Sequence, residues 1–343
     1  MPPTLGNKCW GLFLCSVEDR LVHQHEDGFG DKFGVFHTDT GTVTIVLSSG
    51  APSVISVVVD SQDSLGEGII WSGEYEALFW VDIEARRLHR YRLVGSEHQV
   101  WELPFRASGL ATRSGGGLVL ATDVGVCSFD LKTGIAELLV VLEPQRPDNR
   151  SNEAKCDSDG RFWVGTMDAR AKTKSGALYR VGHDLAVQRV VDGMGIPNTL
   201  VWSHDGRSLY SGDSMDSVIY RYDYHAARGE IVASSRVEFV STRDELACPD
   251  GSTIDAEGHL WNCQWDGGRV VRYAPDGSIS RIVQLPVTRP TTCTFGGAAL
   301  DTLFISTARV GLNPEQLRGQ PNAGNVLAFR PGVNGVSEPS FLG

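Results

Sequence analysis

Four oxygen-bearing side chains recur at one register of this chain. Glu67, Asn152, Asn198 and Asp250 each stand 11 to 13 residues ahead of a bulky strand residue, respectively Trp80, Trp163, Tyr210 and Trp261. Carboxylate and amide oxygens are hard donors that suit Ca2+, Mg2+ or Mn2+, and a set without Cys or His matches structural zinc or a soft metal less well. Glu67, Asn198 and Asp250 would supply two charges and one neutral oxygen. That leaves positions for water and substrate, as a Lewis-acid metal requires. Each residue taken singly has a plainer explanation, because Asn and Asp ahead of turns cap backbone groups and Asp250-Gly251 is a common turn dipeptide. Their recurrence on matching strands favours a site.

What must position these side chains is a repeat. Six phrases, at 71–83, 112–124, 156–168, 202–214, 254–266 and 295–307, share a turn followed by a short β-rich run. The runs centre on Trp80, Val119, Trp163, Tyr210, Trp261 and Phe304. Anchors roughly 40 to 50 residues apart correspond to one four-stranded blade each. The reading is an all-β chain, a six-bladed β-propeller over residues 53–343. The β-branched run from Val54 to Asp60 is placed to add the missing strand of the last blade and so close the ring. A WD40 array is excluded, because Gly258-His259 and Trp265-Asp266 occur in one phrase only and too close together.

Composition narrows the partners. A net charge of −11 argues against nucleic acid, since phosphate backbones are held by clustered Lys and Arg. The seven cysteines are odd in number, scattered and without CxxC pairs, which reads as a reduced, cytoplasmic chain. The apolar run from Cys9 to Cys15 is too short for a membrane span and lacks the flanks of a targeting signal. Residues 1–52 read as an extension in which only Thr42–Leu47 has strand character, and His23-x-His25 has no convergent ligand to make it a metal site. A monomer or weak homo-oligomer is expected. Ser214 in GDSMD lacks the second Gly of a nucleophile elbow, and Gly193-Met-Gly195 fails the dinucleotide fingerprint.

Four ordered motifs carry a resemblance over about Val54 to Gly343. They are LGEGIIW (65–71), RSNEAKCDSDGRFWVGTM (150–167), GIPNTLVWSHDGRSLYSGDS (195–214) and PDGSTIDAEGHLW (249–261), joined by FGGAALDTLFISTARVGL (295–312). The chain resembles the SMP-30/gluconolactonase/regucalcin family of six-bladed lactonases, most of all its bacterial enzymes for sugar-acid lactones. The resemblance implies Glu67, Asn198 and Asp250 as metal ligands, with Asp250 also catalytic. It further implies Arg150 and Asn152 as substrate-binding residues, with Glu153 beside them where the family usually has Asp. A substrate-contacting Glu of animal members falls near Lys172 here, so that contact is absent or replaced.

The implied activity is hydrolysis of an aldonolactone, such as L-arabinono-, D-galactono- or D-glucono-lactone, to the free acid by a carboxylic ester hydrolase. It would use one divalent ion, Ca2+ before Zn2+, Mg2+, Mn2+ or Fe2+. The alternatives are a propeller esterase or phosphotriesterase, and a non-catalytic calcium-binding regulatory protein.

Overall fold

A computed structural model describes residues 54–343 in full and, before them, the backbone of three strands. Those strands, Leu21–Glu26, Lys32–Thr38 and Gly41–Leu47, form an antiparallel sheet within the unit Met1–Val54. The sequence expectation of one strand there is corrected to three. The first two alternate poorly between polar and apolar residues, and hairpin pairing supplies what the pattern does not show. The side chains of His23, His25 and His37 and the run from Cys9 to Cys15 lie outside the described residues.

The second unit, Ile55–Gly343, consists of six four-stranded antiparallel sheets, as the repeat requires. The innermost strands are Gly66–Ser72, Ala107–Thr112, Asn149–Cys156, Pro197–Trp202, Cys248–Ile254 and Pro290–Gly296, in blades 1 to 6. Each opens a blade, and the chain then meanders outward strand by strand. The sixth blade takes its outer strand from the other end of the unit: Ser56–Val59 pairs antiparallel with Val326–Phe329, with Val59 opposite Val326. This closes the ring.

The repeat anchors lie in the second strand of each blade and form the core. Trp80, Trp163 and Trp261 are fully buried between neighbouring sheets. A buried indole still needs a partner for its N–H, and each of the three finds a buried aspartate: Asp63 at 2.8 Å, Asp157 at 2.9 Å and Asp255 at 2.8 Å. In blades 3 and 5 an arginine compensates the carboxylate, Arg161 for Asp157 and Arg272 for Asp255. In blade 1 Asp63 faces His89 instead, whose ring stacks on Trp80.

Candidate active site

Every innermost strand starts at one mouth of the central channel and ends at the other. Glu67 and Asn198 are the second residues of their strands, Asp250 is the third and Asn152 the fourth. All four therefore belong to the same mouth. The loop spanning residues 308–325 of blade 6 lies on this side too, with its one short helix Pro314–Gly319 capped by Asn313.

A plain strand would not aim these side chains together. The pairing register slips between Glu67 and Ile70, Ser151 and Ala154, Asn198 and Leu200, and Pro249 and Ser252. Such bulges bend the strand and re-aim one side chain, and here each falls beside a site residue. Backbone conformation follows suit: Gly68, directly after Glu67, has φ +60°, and a Cβ there would come within 2.8 Å of Gly109 Cα. Thr199, directly after Asn198, has φ +48° although it is β-branched, a strain of about 1–3 kcal/mol. Its hydroxyl holds it in place, donating to the Asp250 carbonyl at 2.6 Å and lying 2.8 Å from Ser252 Oγ.

Hydrogen bonds join the site residues of blades 3 to 5. Arg150 Nη1 donates to Asn152 Oδ1 at 2.8 Å and to the Ser151 carbonyl at 2.7 Å. Asn152 Nδ2 donates to Asn198 Oδ1 at 3.1 Å and to the Pro197 carbonyl at 3.0 Å. Asn198 Nδ2 donates to Ser214 Oγ at 2.8 Å, and that hydroxyl donates onward to the Pro249 carbonyl at 2.6 Å. Asp250 Oδ1 accepts the Gly251 N–H at 3.0 Å, and Glu67 Oε2 accepts the Gly68 N–H at 3.1 Å.

The carboxylates face one another with little to neutralise them. Burial, and then Glu153, push Glu67 up to about 8. Glu67 lines the channel and keeps some exposed area, but protein surrounds it. Burial, with Glu67 and Glu153 next, holds Asp250 well above the usual carboxylate range. Glu153 is pushed up to about 7 by burial, against the pull of Lys155 and of the Ala154 N–H. Along the channel the four carboxyl groups of Glu67, Glu153, Asp250 and Glu338 stand against the two cations Arg150 and Lys155, and without an ion burial favours a proton on Glu67, Glu153 and Asp250. The all-oxygen donor set fits one divalent cation. Among the described residues no group of three or more His, Cys, Asp and Glu gathers to hold an ion. The remaining donors here are amide oxygens.

Residues 65–309 match the SMP-30/gluconolactonase/LRE-like region. The chain belongs to this family. It is 35% identical over 292 residues to an L-arabinolactonase of Azospirillum brasilense, covering 84% of this chain and 95% of that protein. A 6-deoxy-6-sulfogluconolactonase of Pseudomonas putida is 33% identical over 84% of this chain and 99% of its own length. A crystal structure described as a calcium-binding protein, regucalcin, from Agrobacterium tumefaciens superposes with a TM-score of 0.82 at 30% identity, over 86% of this chain and 99% of that one.

In this family member the residues singled out from sequence come together unequally. Asn152 spends both amide hydrogens on Asn198 and Pro197, so one Oδ1 lone pair is its free valence. Arg150 has no carboxylate within ion-pair distance among the described residues, and its Nε and Nη2 make no hydrogen bond to another of them. A surface ion pair is therefore not its role. Glu153 is buried, one carboxylate oxygen taking the Ala154 N–H at 3.1 Å. Lys172 is exposed on the loop after the second strand of blade 3.

Sequence reasoning missed Thr199, Ser214 as an orienting hydroxyl, and Lys155. Lys155 had a signal, since a lysine two residues after Glu153 on an inner strand shares its face.

Proposed function

We propose that this chain hydrolyses a sugar-acid lactone and binds one divalent cation, Ca2+ by preference, through Glu67, Asn198 and Asp250. The observation that carries the reading is the cluster of buried, mutually repelling carboxylates beside an Arg150 whose fork is free on one edge. The names of the relatives in Azospirillum brasilense and Pseudomonas putida support lactone hydrolysis. When bound, such an ion polarises a carbonyl and lowers the pKa of an attached water.

The chain's own residues do the rest. Arg150 presents Nε and Nη2 to ring or chain hydroxyls and offsets negative charge developing on the carbonyl oxygen. Asn152 accepts a substrate hydroxyl at its free lone pair. Asp250 takes the proton of the attacking water as the water oxygen bonds to the carbonyl carbon. That proton then goes to the ring oxygen as the ring C–O bond breaks, giving the hydroxy acid.

In a pH-stat assay with L-arabinono-, D-galactono- and D-glucono-lactone, Asp250→Ala is expected to lose turnover above the uncatalysed rate while the far-ultraviolet circular dichroism is unchanged. Retained turnover removes Asp250 from the mechanism. The calcium-binding relative supports a second reading, a cation-binding protein without this turnover; calcium affinity with no hydrolysis of any lactone or phosphotriester would favour it. None of the buried Cys127, Cys156, Cys248, Cys263 and Cys293 is in a disulfide, which supports a reducing compartment. Among the described residues no helix is long and apolar enough to cross a membrane.

A further inference from the structure

After its last propeller strand the chain runs across the mouth of the channel opposite the site. Residues 334 and 335 are held by blades 5 and 6: the Asn334 carbonyl accepts the Ala256 N–H at 2.8 Å, and the Gly335 N–H donates to the Leu300 carbonyl at 2.8 Å. Residues 340–342 are held by blades 2 and 3, where Phe341 N–H donates to the Thr112 carbonyl at 2.8 Å and Leu342 N–H to the Gly160 carbonyl at 3.0 Å. Phe341 is fully buried there, against Phe162. Thr112 ends an innermost strand, and Ala256, Leu300 and Gly160 lie in the turns that follow one, so residues 336–339 span the far mouth.

From this crossing Glu338 reaches inward to Lys155, with Oε1 and Nζ 3.0 Å apart. Lys155 is buried, its side chain 8% exposed, on the inner strand of blade 3. A buried lysine is costly unless paired. Burial works against its charge, and Glu338 and then Glu153 outweigh that and keep it protonated. Two residues back on the same strand, Glu153 acts in turn on Glu67 and on Asp250. Glu338, Lys155 and Glu153 thus alternate in charge from the far mouth to the carboxylates of the site. Glu338 also borders cavities of about 500 Å3 and 200 Å3 on either side of the crossing. Solvent therefore reaches it from the far mouth, and its influence on the site is exerted through the field and not by touching substrate.

We propose that Lys155 and Glu338 form a charge couple that sets how tightly the channel holds its divalent cation, with residues 330–343 serving to carry Glu338 to the axis. The inference rests on the cation-binding part of the function proposed above. Both are positioning residues, since neither belongs to the set that would touch the ion.

The test is calcium titration by calorimetry on the full chain after chelation. Lys155→Met removes a positive charge from the channel and should tighten calcium binding about fivefold or more, because a like charge no longer repels the ion. Glu338→Gln leaves Lys155 uncompensated and should weaken binding by about as much. The double variant restores a neutral couple and should lie within about twofold of the parent. Residues that only brace the fold would weaken binding in both single variants or in neither. Shifts of the same sign, or an unmoved Glu338→Gln with its far-ultraviolet circular dichroism intact, overturn the couple while the cation site stands. A parent chain that binds no divalent cation overturns both together.

Discussion

Asn152 and Asn198 meet across the seam between blades 3 and 4, with Nδ2 of the first 3.1 Å from Oδ1 of the second. The contact fixes which end of the Asn198 amide faces the channel. An amide oxygen has two lone pairs, and Asn152 takes one, leaving the other for a cation.

The opposite end of that amide is held by Ser214, so Ser214→Ala should let Asn198 turn. Groups that orient a metal ligand commonly contribute 10–100-fold in affinity. Calcium binding should therefore weaken about tenfold in Ser214→Ala. An unchanged calorimetric affinity would show that Asn198 does not present its oxygen to the ion.

Arg150→Lys keeps the charge and discards the fork. Because Nη1 is committed to Asn152 and Ser151, a lysine cannot both brace Asn152 and reach a substrate. Steady-state kinetics on the best sugar lactone should give a kcat/KM lower by about 10–100-fold, mainly through KM. If the variant matched the parent, charge alone would be the role of this residue.

Chelation should lower the melting temperature, and calcium should restore it. At a hundredfold excess over Kd the ion adds about 2.7 kcal/mol, roughly 4 °C in a propeller of this size. Asp250→Asn should abolish the calcium shift without lowering the melting temperature of the chelated protein, since it removes one of two repelling buried carboxylates. Differential scanning calorimetry with and without calcium distinguishes this from plain destabilisation, in which the chelated variant would melt earlier.

Asp63 makes stability depend on pH. Burial keeps its carboxyl protonated up to about 7, against the hydrogen bonds from Trp80 and Ser61. The unfolded chain loses that proton near the ordinary aspartate value of 3.8. The folded state thus binds more protons between these values, and the contribution is full below about pH 4 and lost as pH rises toward 7. Its size is at most about 4 kcal/mol.

His89, lowered to about 3 first by burial and then by His98, contributes in the opposite sense, losing stability as pH falls below 6.5. Its Nε2 is 3.4 Å from Asp63 Oδ1, but that nitrogen makes no hydrogen bond, so the contact is not counted as an ion pair. Asp63→Asn removes the carboxyl contribution alone. Urea unfolding should show the variant gaining on the parent between pH 5 and pH 8, and a difference constant across that range would mean Asp63 is charged throughout.

The architecture was legible in the sequence because its cause is local. Each blade repeats an inner strand, a tight turn and a strand bearing one buried anchor, a tryptophan in blades 1, 3 and 5, and such alternation between turn chemistry and buried bulk needs no distant partner. The strand from Ser56 to Val59 was legible too, since a ring of six sheets needs a closing strand and the β-branched run lay where one was missing. Glu67, Asn152, Asn198 and Asp250 stood out for the same reason, since they recur at one register of the repeat.

Only the tertiary structure decided how those residues are held. Thr199 adopts a positive φ because Asp250 and Ser252 of the next blade bind its hydroxyl, and nothing in Asn198-Thr199-Leu200 announces it. Asp63 finds Trp80 and His89, and Lys155 finds Glu338 across 183 residues of chain, because closing the ring brings distant segments to one axis. A composition rich in acid cannot tell which carboxylates will be buried together. That was set by the strands converging, where burial and mutual repulsion raise the proton affinity of ordinary Asp and Glu.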